Sequence, residues 1–185
     1  MEGRISLNAK NKERLKRNIV RPDELVVTAM GPEGHIYFPH PVSAEDLDGY
    51  AEILIKEAGI PLVMAPVGTN QACAWTRRGK FLLPEQMAEV VGADHPYLAE
   101  VKEDIIRVNH HPDAGDLLVS GWSIGEKAIT FPTENGSHGG MDPEEMTGFV
   151  FLPKDAPFSS GKKFLRPLDL HETIFRKNQP QNNKV

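Results

Sequence analysis

A single cysteine, Cys73, stands in 185 residues, so no internal disulfide can form and a multi-cysteine zinc site is excluded. Long apolar runs are missing too: nothing approaches the roughly 18 apolar residues that a membrane-spanning helix needs. The opening residues, MEGRISLNAK, hold no apolar stretch of the kind a secretory signal requires. Together these absences lead to the expectation of a cytoplasmic protein in a reducing compartment, with no membrane partner. No GxxxxGK[ST], no HExxH and no GxGxxG between a strand and a helix occurs, so nucleotide-binding folds have little support.

What is present is globular in kind. Apolar residues make up 39% and charged residues 25%, enough for one domain with a core. The net charge of −5 is unevenly spread. Between Arg4 and Arg21, the seven basic residues Arg4, Lys10, Lys12, Arg14, Lys16, Arg17 and Arg21 face only Glu13, which leaves the rest of the chain acidic. No aromatic residue is interleaved with these charges, as single-strand binding would prefer. The segment 1–22 is therefore read as a basic arm or solvated helix, and nucleic acid is not an expected partner.

Downstream, apolar periodicity alternates between the two regular types. Strands are expected at Glu24–Met30 and His35–Phe38, turning at Gly31, Pro32 and Gly34. Ser43 with Glu45 and Asp46 opens a helix whose Leu47, Tyr50, Ala51, Leu54, Ile55 and Ala58 share a face until Gly59 ends it. Pro61–Val67 reads as a buried strand, and 72–76 with 80–83 as a hairpin turning at Arg78 and Gly79. Helices follow at 84–91 and 96–108, then a strand at 116–119, a polar loop at 133–140, a short helix opened by Asp142 and Pro143, a strand at 148–152 and a terminal helix from Pro167 to Phe175. The layout is βαβ-like, and the expected fold class is α/β, a mixed sheet flanked by helices. One domain is expected over 23–175, with 176–185 a flexible polar tail.

Seven histidines are present. His35, His40, His95 and His171 have ordinary settings, and each reads as a surface or satisfied core residue. His110 and His111 precede a turn; adjacent side chains diverge, which favours a structural or supporting role over joint ligation. His138 is set apart by its frame of Gly136, Gly139 and Gly140, which frees the backbone for the left-handed region and for close approach. Trp75, Arg77, Arg78 and Lys80 form a basic, aromatic-led hairpin able to lean over an anionic substrate, against the plainer reading of an exposed turn with solvated charges. Trp122 reads as core and Cys73 as a small strand residue.

The order GDLLVSGW, TENGSHGGMDPEEMTGFVFLP and FLRPLDLHETIF resembles the final third of the alkaline-phosphatase and sulfatase superfamily, especially its nucleotide pyrophosphatase/phosphodiesterase and related bacterial branches. The likeness runs over about residues 23–175, and GSHGG is its most specific element. It implies a partial alkaline-phosphatase-like fold and a hydrolase of phosphate or sulfate esters using a two-metal site and a Thr or Ser nucleophile. His138 would be an imidazole ligand of a divalent metal such as zinc, and Asp169 matches an aspartate position of the family. Glu134 or Asp142 could hold the other ring nitrogen of His138.

The departures are as informative. The family's metal-aspartate and nucleophile motif, its Asp-His-Gly motif and its Asp-xxx-His pair have no counterpart in this sequence. Thr133, Ser137 and Thr147 lie near His138, none in a recognisable nucleophile motif. Catalytic zinc keeps three protein ligands, so one histidine leaves the site incomplete. The expectation is a C-terminal segment of a phosphoesterase, completed by a missing N-terminal half or a partner subunit. The competing expectation is a non-catalytic binding module that keeps the family scaffold.

Overall fold

The structure is a computed structural model and describes residues 23–132, 139–154, 156 and 163–178; within the last helix, side chains are described to residue 172. The basic arm, His138 and the end of the polar tail lie outside the described residues. The chain divides into two compact units, with the boundary between Thr147 and Gly148.

In the first unit, six strands form one sheet among the described residues: β1 (Val26–Met30), β2 (Glu33–Tyr37), β3 (Leu62–Val67), β4 (Gln71–Thr76), β5 (Gly79–Leu83) and β6 (Leu117–Ser120), in the order β1-β2-β6-β3-β4-β5. The class is α/β, with helices around the sheet. Every neighbouring pair is antiparallel, and the parallel component expected of the layout survives only at one remove. β2 and β3 run the same way across a helical crossover, with β6 inserted between them.

That crossover carries α1 (Ala44–Lys56). Ser43 caps it: its Oγ accepts the Asp46 N–H at 3.1 Å and donates to the Asp46 carboxylate at 2.6 Å, satisfying a backbone donor that the first turn leaves free. Glu45 and Asp46 in the first turn and Lys56 in the last suit the helix dipole. Gly59 ends the segment with φ +71, a conformation that favours glycine. Ala51 and Ile55 bury against Val63, Ala65, Trp75, Leu117 and Val119 on one sheet face.

The opposite face is covered by α2 (Met87–Val91) and α3 (Leu98–Asn109). Here Leu62, Met64, Ala72, Ala74, Leu83 and Leu118 meet Met87, Val90, Val91 and Val101, together with Trp122 and Met141. Strict alternation along β3 sends Leu62 and Met64 to this face and Val63 and Ala65 to the other, which is the period-two signature of a strand buried on both sides. Each fully buried large apolar side chain contributes about 1.5–3 kcal/mol, so β3 and β6, central and covered on both faces, anchor the sheet.

Smaller differences from the sequence reading have local causes. The β4–β5 turn consists of Arg77 and Arg78, since Thr76 pairs with Gly79; it lies one residue earlier than expected. The helix expected from Pro84 begins at Met87, because Gln86 turns back and its side-chain oxygen accepts the Leu82 N–H at 2.8 Å. A short helix, α4 (Pro143–Met146), closes the first unit, with Asp142 as its N-cap.

In the second unit the strand expected at 148–152 is irregular chain without a ladder. Phe149 and Phe151 are 87% and 90% exposed and meet edge to face at 5.5 Å. The helix α5 (Pro167–Asn178) follows, with proline at its first position. The Asp169 carboxylate accepts the Arg166 N–H at 2.9 Å, the backward half of a capping box.

Candidate functional site

One row of residues crosses the whole sheet: Met30 pairs with Glu33, Glu33 with Ser120, Ser120 with Leu62, Leu62 with Thr76, and Thr76 with Gly79. The turns and loops beyond this row gather at one end of the sheet, and Glu33 and Ser120 lie in the row itself.

On the β2 side, Glu33 accepts the Ser120 hydroxyl at 2.8 Å. Burial is the main cause that pushes its carboxyl up to about 8; the Ser120 hydrogen bond works the other way, and the negative charge of Glu145 adds to the rise. Two carboxyls thus share this corner, and near neutral pH Glu33 keeps its proton. The chain that follows residue 138 docks on the same corner. Gly140 donates its N–H to Glu145 Oε2 at 2.8 Å, and a Cβ on Gly140 would come within 2.6 Å of both Glu145 Oε2 and Pro32 Cγ, so only glycine seats here without displacement. Gly139 has φ +94. A surface depression of about 400 Å³ lies between Met30, Glu33, His35 and Gly139.

Met141 is buried, and its carbonyl oxygen lies 2.8 Å from His95 Nε2. His95 Nδ1 accepts the Tyr97 N–H at 3.2 Å, so the tautomer protonated on Nε2 donates to Met141 and satisfies both contacts. The His95 ring stands edge-on to Trp122 at 5.9 Å. His95 is thus a satisfied core histidine, and it is also the clamp of the segment leading away from residue 138.

The other candidates are spread out. His138, Glu134, Thr133 and Ser137 lie outside the described residues. Asp142 is committed to its cap, accepting the Glu144 N–H at 2.8 Å, and Thr147 donates to the Pro143 carbonyl at 2.6 Å. His110 and His111 diverge, as adjacent side chains do. His110 Nε2 bonds the Gln71 carbonyl at 2.8 Å, while His111 Nδ1 accepts the Asp113 N–H at 3.2 Å. His35 Nδ1 accepts the Gly115 N–H at 3.1 Å, and burial holds its ring below the ordinary histidine range. Asp169 belongs to the second unit.

The basic hairpin divides among several partners. Lys80 reaches the Asp48 carboxylate at 2.5 Å and sits 5.1 Å from the Trp75 ring centroid, and the Trp75 indole N–H donates to Asp48 at 2.9 Å. Arg78 donates to the Glu89 carbonyl and lies over the Phe81 ring. Arg77 alone of the four forms no hydrogen bond or ion pair among the described residues.

Zinc asks for three or four nitrogen, sulfur or oxygen donors. Among the described residues no group of three or more histidine, cysteine or acidic side chains comes together, so these residues do not by themselves make up such a site. Among them, too, no helix is long and apolar enough to cross a membrane. No family model, no curated protein and no solved structure matches the chain.

Glu33 escaped the sequence reading because its strand was started at His35. The alternation along this strand buries Gly34 and Ile36 and leaves Glu33, His35 and Tyr37 half-buried, so no local signal marked Glu33.

Proposed function

We propose that the chain is the C-terminal segment of a metal-dependent phosphoesterase, of the phosphodiesterase or phosphatase kind, acting on a small phosphate or sulfate ester. His138 contributes one imidazole ligand to a divalent metal, zinc by the chemistry of its donor, in a site completed by a missing N-terminal half or a partner subunit. One observation supports the reading above others. The segment directly after His138 is fixed at the sheet end by the Gly140–Glu145 and Met141–His95 hydrogen bonds, which is the rigid backing that a ligand loop requires. A phosphoesterase metal, when bound, stabilises charge on the ester oxygens; this chain's part is to hold the loop and close the pocket around it.

The test is complementation. The chain is mixed with the nucleophile-bearing N-terminal half of a phosphodiesterase of this superfamily, and zinc-dependent hydrolysis of bis(p-nitrophenyl) phosphate is followed. Activity that appears only in the mixture and is abolished by His138→Ala is the expected result. A well-folded complex without activity, or activity indifferent to His138→Ala, sinks the proposal. A second reading, a non-catalytic binding module on the same scaffold, draws on Arg77, which has no partner among the described residues; under it, ligand binding is unchanged by His138→Ala.

A further inference from the structure

Beside the row that carries Glu33 and Ser120, the same end of the sheet opens a second cleft, of about 370 Å³, between the Arg77–Arg78 turn, Gly59 at the end of α1, Val90 of α2 and the loop from Trp122 to Ile129. This volume suits a one-ring ligand. Its walls are apolar at Leu62, Val90, Trp122, Ile124 and Ile129.

The polar side of the wall includes two donors, Arg77 and Thr76. Arg77 lines the cleft and has no hydrogen bond or ion pair among the described residues. Thr76 Oγ1 accepts the Arg78 N–H at 3.0 Å, which leaves its own hydroxyl proton to give. Trp122 is 8% exposed and belongs to the apolar wall; its indole N–H is buried and has no acceptor among the described residues. Glu126 is the acidic residue of the wall.

The far wall is built in advance of any ligand. Gly121 donates to the Pro32 carbonyl at 2.7 Å and accepts the Ile129 N–H at 3.1 Å, closing the intervening loop at its neck. A preformed wall lowers the ordering cost of binding.

We propose that this cleft binds a small organic acid, its anionic head held by Arg77 with help from Thr76, and its apolar body laid against Trp122 and Ile129. A guanidinium presents paired donors that match a carboxylate or a phosphate equally. The shared chemistry is therefore an anion on an apolar body, and Glu126 tilts the choice toward a single negative charge. The site stands apart from the phosphoesterase reading, because its occupancy is measured without turnover.

The experiment titrates the full chain with benzoate and with phenylphosphonate, by calorimetry and tryptophan fluorescence, beside inorganic phosphate as head alone and benzyl alcohol as body alone. Either acid is expected to bind with a Kd of about 1 mM or tighter, and more tightly than both controls. Arg77→Gln is expected to weaken that binding about tenfold or more, the scale of a charge-assisted hydrogen bond, with an unchanged melting temperature because Arg77 is exposed. Glu126→Gln strengthens binding, more for phenylphosphonate than for benzoate. Saturation by benzoate alone identifies a carboxylate ligand, and by phenylphosphonate alone a phosphate-type ligand; both outcomes support the cleft. No saturable binding of either acid, or binding unchanged in Arg77→Gln, overturns it.

Discussion

His95 donates from Nε2 to the carbonyl oxygen of Met141 at 2.8 Å, joining positions 46 residues apart in a buried setting. Through this bond the segment that leaves the glycine loop is tied to the turn before α3, and the histidine ring is held between that segment and Trp122.

Replacing His95 by Ala removes the donor and leaves the Met141 carbonyl buried and unpaired. The expected loss is about 1–3 kcal/mol of stability, read by urea denaturation. Amide exchange at Met141 and its neighbours should accelerate more than at β3, whose hydrogen bonds are remote from the change. Uniform acceleration would mean that the bond does not hold this segment in particular.

Glu33 makes stability depend on pH in a definite direction. Its folded carboxyl is pushed up to about 8, from 4.5 when free, so between these values the folded state holds a proton that the unfolded state has lost. Stability therefore falls as pH rises through this window, by up to about 1.4 kcal/mol per pH unit, and levels off above it. Glu33→Gln should flatten the slope and make the protein more stable than native at pH 8. Glu145→Gln, which removes a repelling charge, should draw the upper end of the window downward. Denaturation midpoints at pH 5 to 9 decide; an unchanged slope in Glu33→Gln would assign it to another group.

At Gly121 a Cβ would lie 1.9 Å from the Ile129 carbonyl oxygen, a backbone atom that cannot step aside. Gly121→Ala should cost about 3 kcal/mol or more and open the neck of the loop that walls the Arg77 cleft. Gly125→Ala meets nothing within 4 Å but must adopt φ +76, for which about 1 kcal/mol is expected. Thermal melts of the two variants test the ranking, and the reverse order would contradict the packing at the neck.

Much of the secondary structure was legible because its causes are local. The Ser43 cap, the face of α1 and the alternation along β3 are written within a few residues of themselves, and periodicity reads them directly. The sequence 148–152 misled for the converse reason. GFVFL has strand composition, but a strand needs a ladder partner, and none pairs with it among the described residues. Of the candidate site, the glycine frame was visible as a motif. Glu33, Ser120 and His95 were not, since a buried carboxyl or a clamping histidine is defined by what stands opposite it.

The amino-acid sequence by itself determined the α/β alternation and the two-faced apolar pattern of the central strand. Those follow from backbone sterics and from the periods of helix and strand. Only the tertiary structure decided that β6 enters between β2 and β3, and with it the row from Met30 through Glu33, Ser120, Leu62 and Thr76 to Gly79. Strand order is set by which apolar faces can be buried together over separations such as the 87 residues between Glu33 and Ser120, and no local pattern encodes that choice. The same long-range packing released Arg77 into a cleft while giving Arg78 and Lys80 to partners, a distinction that four neighbouring residues of one hairpin could not carry.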